Sequence, residues 1–453
     1  MAEKGLGIVI GASVTGVLAA AALRNSYATV RVVDRDTIPS LAASRRNVPQ
    51  ANHAHGLLAG GLLAMEDLLP GITKELIAAG ALTADLQNDL HWYLNGQRLA
   101  PAREPSGIDG LAVSRVLLEH LIRVHVGGID GISVVDRQAV SGLITHDRRV
   151  VGVSVVSPEG AETRLEGADL VIDATGRGSR SGAWLQSMGC PPVETERLDV
   201  GIAYVSQRFR RESRFLNGRI GTLCAAYPGH LYGGFVTAEE DDRFIVSLTG
   251  RFGTTPPTDR AGMIAWAQRL ATDDIAEIIR DAQPLGSPTL TRFPYSVRRH
   301  YEDLPGFPSG YAVLGDALCS FNPVYAQGMS VAALQAQLLG NLVAAGLPND
   351  IQAGAAALTD VAWEIATGPD KTMITKRSRS AQNDEPTDQL LAAAVRDPAL
   401  ATAFLRVTNL IDPPESLGDP ELTRRVVAAY GSSSVKVRFG GREERVSTLR
   451  SRA

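Results

Sequence analysis

A glycine-bearing turn between a buried strand and an alanine-rich helix is the feature that most constrains this chain. Residues 6–11 form a short apolar run that predicts a buried strand, and residues 13–25 predict the helix that follows it. Residues 29–34 predict a second strand. A β-α-β unit of this size, with Gly11 and Gly16 at its first turn, is the opening of a dinucleotide-binding domain.

The turn departs from the usual GxGxxG fingerprint at one position. Ser13 stands where a second glycine would let the backbone approach a pyrophosphate. The start of the helix still directs N–H groups and the positive end of its dipole at a phosphate, and Gly16 still permits close packing on the strand. Asp34, at the end of the second strand, is placed to hold a ribose diol. A glycine-rich turn with a purely structural role is the alternative.

The rest of the chain changes character along its length. Helices are predicted at 60–80, 114–126, 328–345 and across most of 353–430, and strands at 132–157, 169–176 and 311–316. Residues 199–296 are rich in aromatic residues and carry the pattern of an antiparallel sheet. We therefore expect an α/β fold in four segments, namely a first domain at 1–180, an inserted sheet domain at 181–298, the return of the first domain at 299–345, and a helical region with a tail at 346–453.

A second motif lies some 300 residues after the first. A buried strand ends at Gly315 and Asp316, and a proline loop leads into a helix whose first turn contains Gly328. This arrangement would put a carboxylate near a ribityl chain and a helix N-terminus over an electron-rich ring. Reduced flavin carries negative charge around N1 and O2, which a helix dipole stabilises. An ordinary strand-loop-helix connection is the alternative.

Four runs in the chain match one family in order. They are Arg45–His55, Ser114–Glu119, Asp173–Ser179 and Phe321–Ser330, with a weaker likeness at Trp363 and Ala366–Gly368. The set resembles the FAD-dependent monooxygenases related to para-hydroxybenzoate hydroxylase. The finer pattern is most similar to the polyether-type flavin epoxidases, such as the lasalocid and monensin epoxidases.

The resemblance implies a Rossmann-like FAD-binding domain, an inserted antiparallel β-sheet substrate domain and a C-terminal helical region. It implies that FAD is held by residues of both motifs and a few other positions, namely Gly11, Ala12, Ser13, Gly16, Asp34, Arg35, Arg46, Arg115, Val140, Gly315, Asp316, Gly328 and Met329. Arg115 would reach the phosphates or ribityl chain, Val140 would offer backbone to the adenine, and Arg46 would lie by the cofactor. Solvated surface positions are the alternative for both arginines. Asn47 replaces a glycine common in the family, so the shape of that loop is open.

Catalysis in such a family belongs to the flavin, and the sequence identifies no certain catalytic side chain. The loop on the flavin side would contain Pro323, Gln327 and Gly328. The resemblance implies that O2 and reduced flavin form a flavin hydroperoxide, which transfers one oxygen atom. We expect epoxidation of a small apolar alkene of a secondary-metabolite precursor, as in antibiotic biosynthesis. The alternatives are an aromatic or N-hydroxylase, a flavin dehydrogenase or reductase, and a redox-neutral cyclase. NAD(P)H or a partner flavin reductase would supply electrons.

Composition excludes several other classes. The net charge of −4 offers no basic surplus for binding nucleic acid. Three separated cysteines argue against a disulfide framework and fit a reducing cytoplasm, and Cys319 is expected to be a buried, inert thiol. The uncharged run Leu6–Leu23 could suggest a signal peptide or membrane span, but its glycines and the strand that follows favour the β-α-β unit. His53 and His55 invite a metal interpretation, which lacks a third ligand of clear spacing, so no metal is expected.

Overall fold

The computed structural model describes residues 5–43, 53–375 and 386–430. The helices in these ranges are α1 Val14–Leu23, α2 Ala59–Leu68, α3 Ile72–Ala78, α4 Arg115–Gly127, α5 Ser181–Ser187, α6 Arg260–Ala267, α7 Asp274–Asp281, α8 Gln327–Ala344, α9 Ile351–Thr375, α10 Pro386–Ala394, α11 Pro398–Thr408 and α12 Pro420–Tyr430. Among these described ranges, none of the helices combines the length and hydropathy that a membrane span requires.

The strands are β1 Leu6–Ile10, β2 Thr29–Val33, β3 Leu82–Asp85, β4 Leu90–Leu94, β5 Gln97–Arg98, β6 Asp109–Ala112, β7 Ile132–Val135, β8 Ala139–His146, β9 Arg149–Val156, β10 Glu162–Glu166, β11 Ala168–Asp173, β12 Thr195–Arg210, β13 Gly221–Cys224, β14 Tyr232–Glu239, β15 Arg243–Gly250, β16 Pro284–Arg299, β17 Tyr311–Val313 and β18 Cys319–Ser320. The α/β fold expected from the sequence is confirmed.

The chain divides into two compact units. The first comprises the described parts of residues 1–80, 113–199 and 295–363. Its central sheet is parallel, with strand order β17-β11-β1-β2-β7. The fully buried residues of β1 explain why that run is continuously apolar. This strand order is that of a dinucleotide-binding fold, in which ligands lie beyond the carboxyl ends of the strands.

The second unit comprises the described parts of residues 81–112, 200–294 and 364–453. Its sheet has the order β16-β12-β15-β14-β13-β4-β5. Strands β12, β15, β14 and β13 are antiparallel to their neighbours in that series, β13 and β4 run parallel, and β4 and β5 are antiparallel. Helices α6 and α7 pack on one face of this sheet. The core there includes Val205 of β12, Val236 of β14 and Val246 of β15, together with Met263 and Ile275 of the helices.

This grouping of contacts differs from the boundaries expected from the sequence. Residues 81–112 group with the sheet unit, as do the described parts of residues 364–430. The sequence pattern placed the former in the first domain and the latter in a separate helical region. The four-segment division itself stays a prediction.

Two local expectations were wrong. The helix expected over 60–80 is interrupted after Leu68, because Pro70 disfavours helical backbone at the residue before it and Gly71 adopts a φ of +94°. The segment expected to be sheet at 199–296 also contains α6 and α7. Their amphipathic pattern, with Ile275, Ile278 and Ile279 buried on one side of α7, was masked by the aromatic strands on either side.

Candidate cofactor site

The turn after β1 is built around two glycines in contact. Gly11 has a φ of +103°, and a Cβ on Gly16 would overlap the Gly11 carbonyl oxygen, so α1 can begin this close to the strand only with glycine at position 16. Ser13 is the N-cap residue of α1, with φ −82° and ψ −178°. Any residue can adopt that extended backbone, so serine at the position of the second fingerprint glycine is compatible with the turn.

Asp34 connects the end of β2 to this turn. Its buried carboxylate accepts a hydrogen bond from the backbone N–H of Ala12 at 2.6 Å and another from that of Asp36 at 2.8 Å. The carboxylate thereby ties the end of β2 to the turn in which the expected phosphate-binding residues lie. Arg35 extends outward, with its side chain 68% exposed and 4.0 Å from Asp36.

The second motif packs directly on the first. Gly315 has a φ of +61°, and a Cβ there would overlap the side chain of Thr15 in the first turn of α1. The Gly315 N–H donates to Oε1 of Gln335 at 2.7 Å, which fixes the turn to α8. Two sequence motifs 300 residues apart therefore form one continuous surface.

Asp316 lies at the centre of this surface. A Cβ on Gly328 would be 3.6 Å from Oδ1 of Asp316, so the carboxylate borders the first turn of α8. Burial raises the pKa of the Asp316 carboxyl, and the positive charges of Arg115, Arg177 and Arg299 oppose that shift. The carboxylate is thus half-buried and lies within the electrostatic influence of three cations.

The three arginines are held by other groups, Arg177 by the backbone carbonyl of Tyr295 at 3.5 Å. Arg115, at the start of α4, donates through Nε to Glu119 at 2.6 Å. Arg299 donates to the backbone carbonyl of Ala317 at 3.0 Å. Arg115 was expected near the cofactor from the sequence. Arg177 could have been found from its place inside the matching run Asp173–Ser179, whereas nothing in the sequence pointed to Arg299.

The loop before α8 ends in a buried, unsatisfied amide. Oδ1 of Asn322 accepts from the Val324 N–H at 3.3 Å, a short 3-10 turn follows at Pro323–Tyr325, and Ala326 has a φ of +56°. Gln327 then begins α8 and is 1% exposed. Neither its Oε1 nor its Nε2 has a hydrogen-bond partner among the residues that the structure describes.

The unsatisfied carboxamide of Gln327 indicates whether the residues at this site suit a flavin. Native proteins rarely leave a buried donor and acceptor unsatisfied, so such atoms call for a further partner, such as a bound ligand. The pyrimidine edge of an isoalloxazine ring offers both acceptors and a donor, which is what a carboxamide needs. Met329 and Gly328 occupy the same first turn of α8, where backbone N–H groups have no partner within the helix. The residues fit the group.

A carboxylate network that the sequence analysis missed stabilises the turn carrying Arg177. Asp173, fully buried at the end of β11, accepts from the N–H and hydroxyl of Thr175 at 2.9 and 2.6 Å and from Ser179 at 2.5 Å. The Ser181 hydroxyl also bonds to Asp173 and to the Tyr311 hydroxyl. The signal available in the sequence was the cluster of hydroxyl residues that follows Asp173.

The remaining expected residues are placed as follows. Val140 lies half-buried on β8, paired with Val155, and Arg46 lies outside the described residues. Cys319 is buried, and burial raises its thiol pKa well above the ordinary value. His55 contacts the backbone carbonyl of His53 at 2.8 Å. Within the described ranges, three potential metal ligands lie close together at His300, Glu302 and Asp303. Neither His53 nor His55 belongs to this group.

Together, the parallel sheet with its glycine turn and the unit built on an antiparallel sheet define the fold of FAD-dependent flavoproteins. The flavoprotein/dehydrogenase from Cytophaga hutchinsonii matches with a TM-score of 0.66 at 15% identity, over 95% of this chain and 98% of that one. PqsL, a probable FAD-dependent monooxygenase from Pseudomonas aeruginosa, matches with a TM-score of 0.62 at 17% identity, over 82% of this chain and 99% of that one.

The chain belongs to the family of protein Rv3254 from Mycobacterium tuberculosis (strain ATCC 25618 / H37Rv). The two are 32% identical over 431 residues, which cover 89% of each chain. No family model matches the sequence.

Proposed function

We propose that the protein is an FAD-dependent monooxygenase that transfers one oxygen atom from O2 to an apolar alkene of a secondary-metabolite precursor. The observation that carries the cofactor part is the unsatisfied amide of Gln327, buried at the N-terminus of α8 beside the Gly315–Asp316 turn. Bound FAD would supply the oxygen-activating chemistry, as it does in flavoproteins of this fold.

The chain's own residues would bind and orient the cofactor. The N-terminus of α1, from Ser13 onward, would bind the pyrophosphate, and Asp34 would hold the ribose of the adenosine. Asp316 would accept hydrogen bonds from the ribityl chain. Gln327 would hydrogen-bond the flavin ring, and the dipole of α8 would stabilise negative charge on it. Arg115, Arg46 and Val140 would complete the site as the resemblance implies.

The apolar character proposed for the substrate is based on one face of the sheet in the second unit. Side chains alternate along each strand, so Tyr204, Leu223 and Phe235 lie on the face opposite α6 and α7. The polar groups described on this face bond to one another, because the Ser206 and Ser247 hydroxyls are 2.5 Å apart and Arg208 donates to Glu239 at 2.7 Å. Such a wall suits an apolar substrate. Epoxidation is favoured by the similarity of Phe321–Ser330 to the polyether epoxidases, and oxygen transfer to an alkene requires no protein base.

Two further parts of the proposal concern context. Electrons would come from NAD(P)H directly or from a partner flavin reductase. A cytoplasmic location is supported by the three cysteines, which are free and buried.

The second candidate is a flavin dehydrogenase. The likeness to the flavoprotein/dehydrogenase from Cytophaga hutchinsonii, which spans nearly the whole of both chains, supports it. A dehydrogenase would use the same FAD site and pass electrons from the substrate to the flavin.

The deciding experiment follows the oxygen atom. The FAD-loaded protein is incubated under ¹⁸O2 with chemically reduced FAD and a panel of alkene, aromatic and N-heterocyclic compounds. We expect one ¹⁸O atom in an epoxide product. Label in a phenol or an N-oxide would retain the oxygenase and reject epoxidation. In a parallel anaerobic reaction that starts from oxidised FAD, turnover would favour the dehydrogenase if FAD becomes reduced, and a redox-neutral cyclase if it does not.

A further inference from the structure

The second unit contains a cavity of about 180 Å³ on the side of its sheet that carries α6 and α7. The side chains that line it are Tyr93, Cys224, Tyr227, His230, Tyr232 and Arg269. Cys224 pairs in register with Gly234, where a Cβ would meet Leu270 and Ile275. The cavity is therefore on the opposite face of the sheet from the wall proposed for the substrate.

A tight turn places the first two rings. Tyr227 and His230 exchange backbone hydrogen bonds of 3.0 and 2.8 Å across Pro228 and Gly229, and Gly229 has a φ of +85°. Proline followed by glycine is favoured at these two central turn positions. The turn stacks the rings of Tyr227 and His230 with centroids 5.0 Å apart and planes inclined by 20°.

The ring of Tyr232 continues the row formed by Tyr227 and His230, and it packs against a buried tryptophan of α6. Tyr232 lies 5.3 Å from His230, and its ring meets the buried Trp266 of α6 edge-on at 4.7 Å. Tyr93 of β4, which is paired with Cys224 of β13, also lines the cavity. Aromatic and small side chains thus form the walls of a partly open slot, and the sheet and α6 hold these side chains in place.

The side chains that line the cavity carry one positive charge, which belongs to Arg269. The guanidinium of Arg269 lies 4.6 Å from the centre of the Tyr232 ring and donates to the Tyr232 hydroxyl. Within the described ranges no carboxylate lines the cavity, and Arg269 forms no ion pair with any residue there. Burial and the charge of Arg269 lower the pKa of His230, which favours its neutral imidazole. Burial raises the pKa of the Cys224 thiol to about 12, so it is neutral as well.

We propose that this cavity binds a small aromatic carboxylate, with its ring between the aromatic walls and its carboxylate on Arg269. A cavity of about 150 Å³ accommodates a benzene molecule, so the volume suits one substituted ring. An arginine that is already oriented by a tyrosine presents its remaining N–H groups to a carboxylate. The tyrosine hydroxyls add further donors. This ligand site is independent of the proposed FAD site.

The first test uses benzoate as the probe on the purified full-length protein. Isothermal titration should show saturable binding that weakens about ten- to a hundredfold in Arg269→Gln, because a charge-assisted hydrogen bond is lost. Arg292→Gln is the matched control, since Arg292 is exposed in the same unit and does not line the cavity. Benzamide, which lacks the charge, and acetate, which lacks the ring, should both bind more weakly than benzoate. Equal affinity of wild type and Arg269→Gln, or no saturable binding, would overturn the proposal.

The second test locates the ligand directly. Photolysis with 4-azidobenzoate followed by peptide mapping should label residues 224–232 or 269–271, and excess benzoate should suppress the label. Labelling confined to other peptides would overturn the assignment of the cavity. Because neither readout involves flavin or turnover, failure here leaves the proposed oxygenase function intact, and the reverse also holds.

Discussion

Gly315 and Thr15 are packed so closely that a Cβ on Gly315 would overlap the Thr15 side chain. This contact joins the turn after β17 to the first turn of α1, and with it the two motifs that the sequence separates by 300 residues. Because there is no space between the two residues, the addition of a single methyl group at Gly315 should displace one of the two motifs of the cofactor site.

Gly315→Ala should therefore destabilise the protein and impair FAD binding. A positive φ costs alanine about 1 kcal/mol, and the overlap with Thr15 should bring the total to about 3 kcal/mol or more. Gly346→Ala is the control, because Gly346 has a φ of +75° with open space around it. Urea denaturation measures both variants, and equal losses of unfolding free energy would show that the contact with Thr15 is unimportant.

Gln327→Leu should separate stability from cofactor binding. Removal of two unsatisfied buried atoms should raise the unfolding free energy of the FAD-free protein by about 1–3 kcal/mol, while FAD affinity falls. Gln335→Leu is the matched control, and we expect it to have the opposite effect on stability. Gln335 is equally buried on the same helix, but it bonds to the Gly315 N–H and to Thr359 at 2.7 and 2.8 Å, so its loss should destabilise the protein. A destabilised Gln327→Leu would mean that the amide has a partner within the chain.

Asp316→Ala should weaken FAD binding about five- to a hundredfold, which corresponds to about 1–3 kcal/mol for the loss of a half-buried charged acceptor. Flavin fluorescence titration measures the affinity. Asp303→Ala is the control, because the Asp303 side chain is 72% exposed. Unchanged affinity in Asp316→Ala would exclude a contact between this carboxylate and the cofactor.

The raised pKa of Asp316 also predicts a pH dependence of stability. An ionised Asp316 is less favourable in the folded protein than in the unfolded chain, so protonation between the ordinary and the raised pKa adds stability. At a pH above the raised pKa, Asp316 is ionised in both states, so the free-energy cost of its ionisation in the folded protein is complete and no longer changes with pH. Asp316→Asn should thus stabilise the FAD-free protein at about pH 8, and its advantage should shrink as the pH falls towards about 4. Urea denaturation across that range provides the check, and a pH-independent difference would contradict the assignment.

Asp173→Asn should cost about 2–4 kcal/mol of unfolding free energy, because an amide nitrogen would face hydroxyl groups that now donate to a carboxylate. Asp147→Asn, at a hairpin tip where the side chain is 91% exposed, should be neutral. Thermal unfolding of both variants gives the comparison. Two equally stable variants would show that the hydroxyls of Ser179 and Ser181 can reverse their bonds without loss.

The sequence indicated the first unit well because its signals are local. The continuous apolar run of β1 and the glycine turn each report on a few adjacent residues, and buried parallel strands have a pattern of their own. The break at Pro70 was also visible locally, although the pattern on both sides of it favoured one helix. The placement of residues 81–112 with the second unit depends instead on pairing between β4 and β13, which no local pattern encodes.

The same distinction applies to the candidate site. Gly16 and Gly315 can be recognised from the sequence because close backbone approach leaves glycine as the usual solution. Arg299 influences Asp316 only because β16 brings it there, and arginine on a strand has no distinctive spacing. The unsatisfied state of Gln327 is a property of everything that surrounds it, so three-dimensional packing alone reveals it.

The bond between Asp34 and the Ala12 N–H has a consequence for how a ligand would arrive. Because the bond lies within the chain itself, the conformational entropy of these residues is lost during folding and not during association. A substitution that loosened this bond would shift an ordering cost of about 1–2 kcal/mol per residue onto the binding step. The cofactor would then dissociate more readily during purification, even if the other groups that touch it were intact.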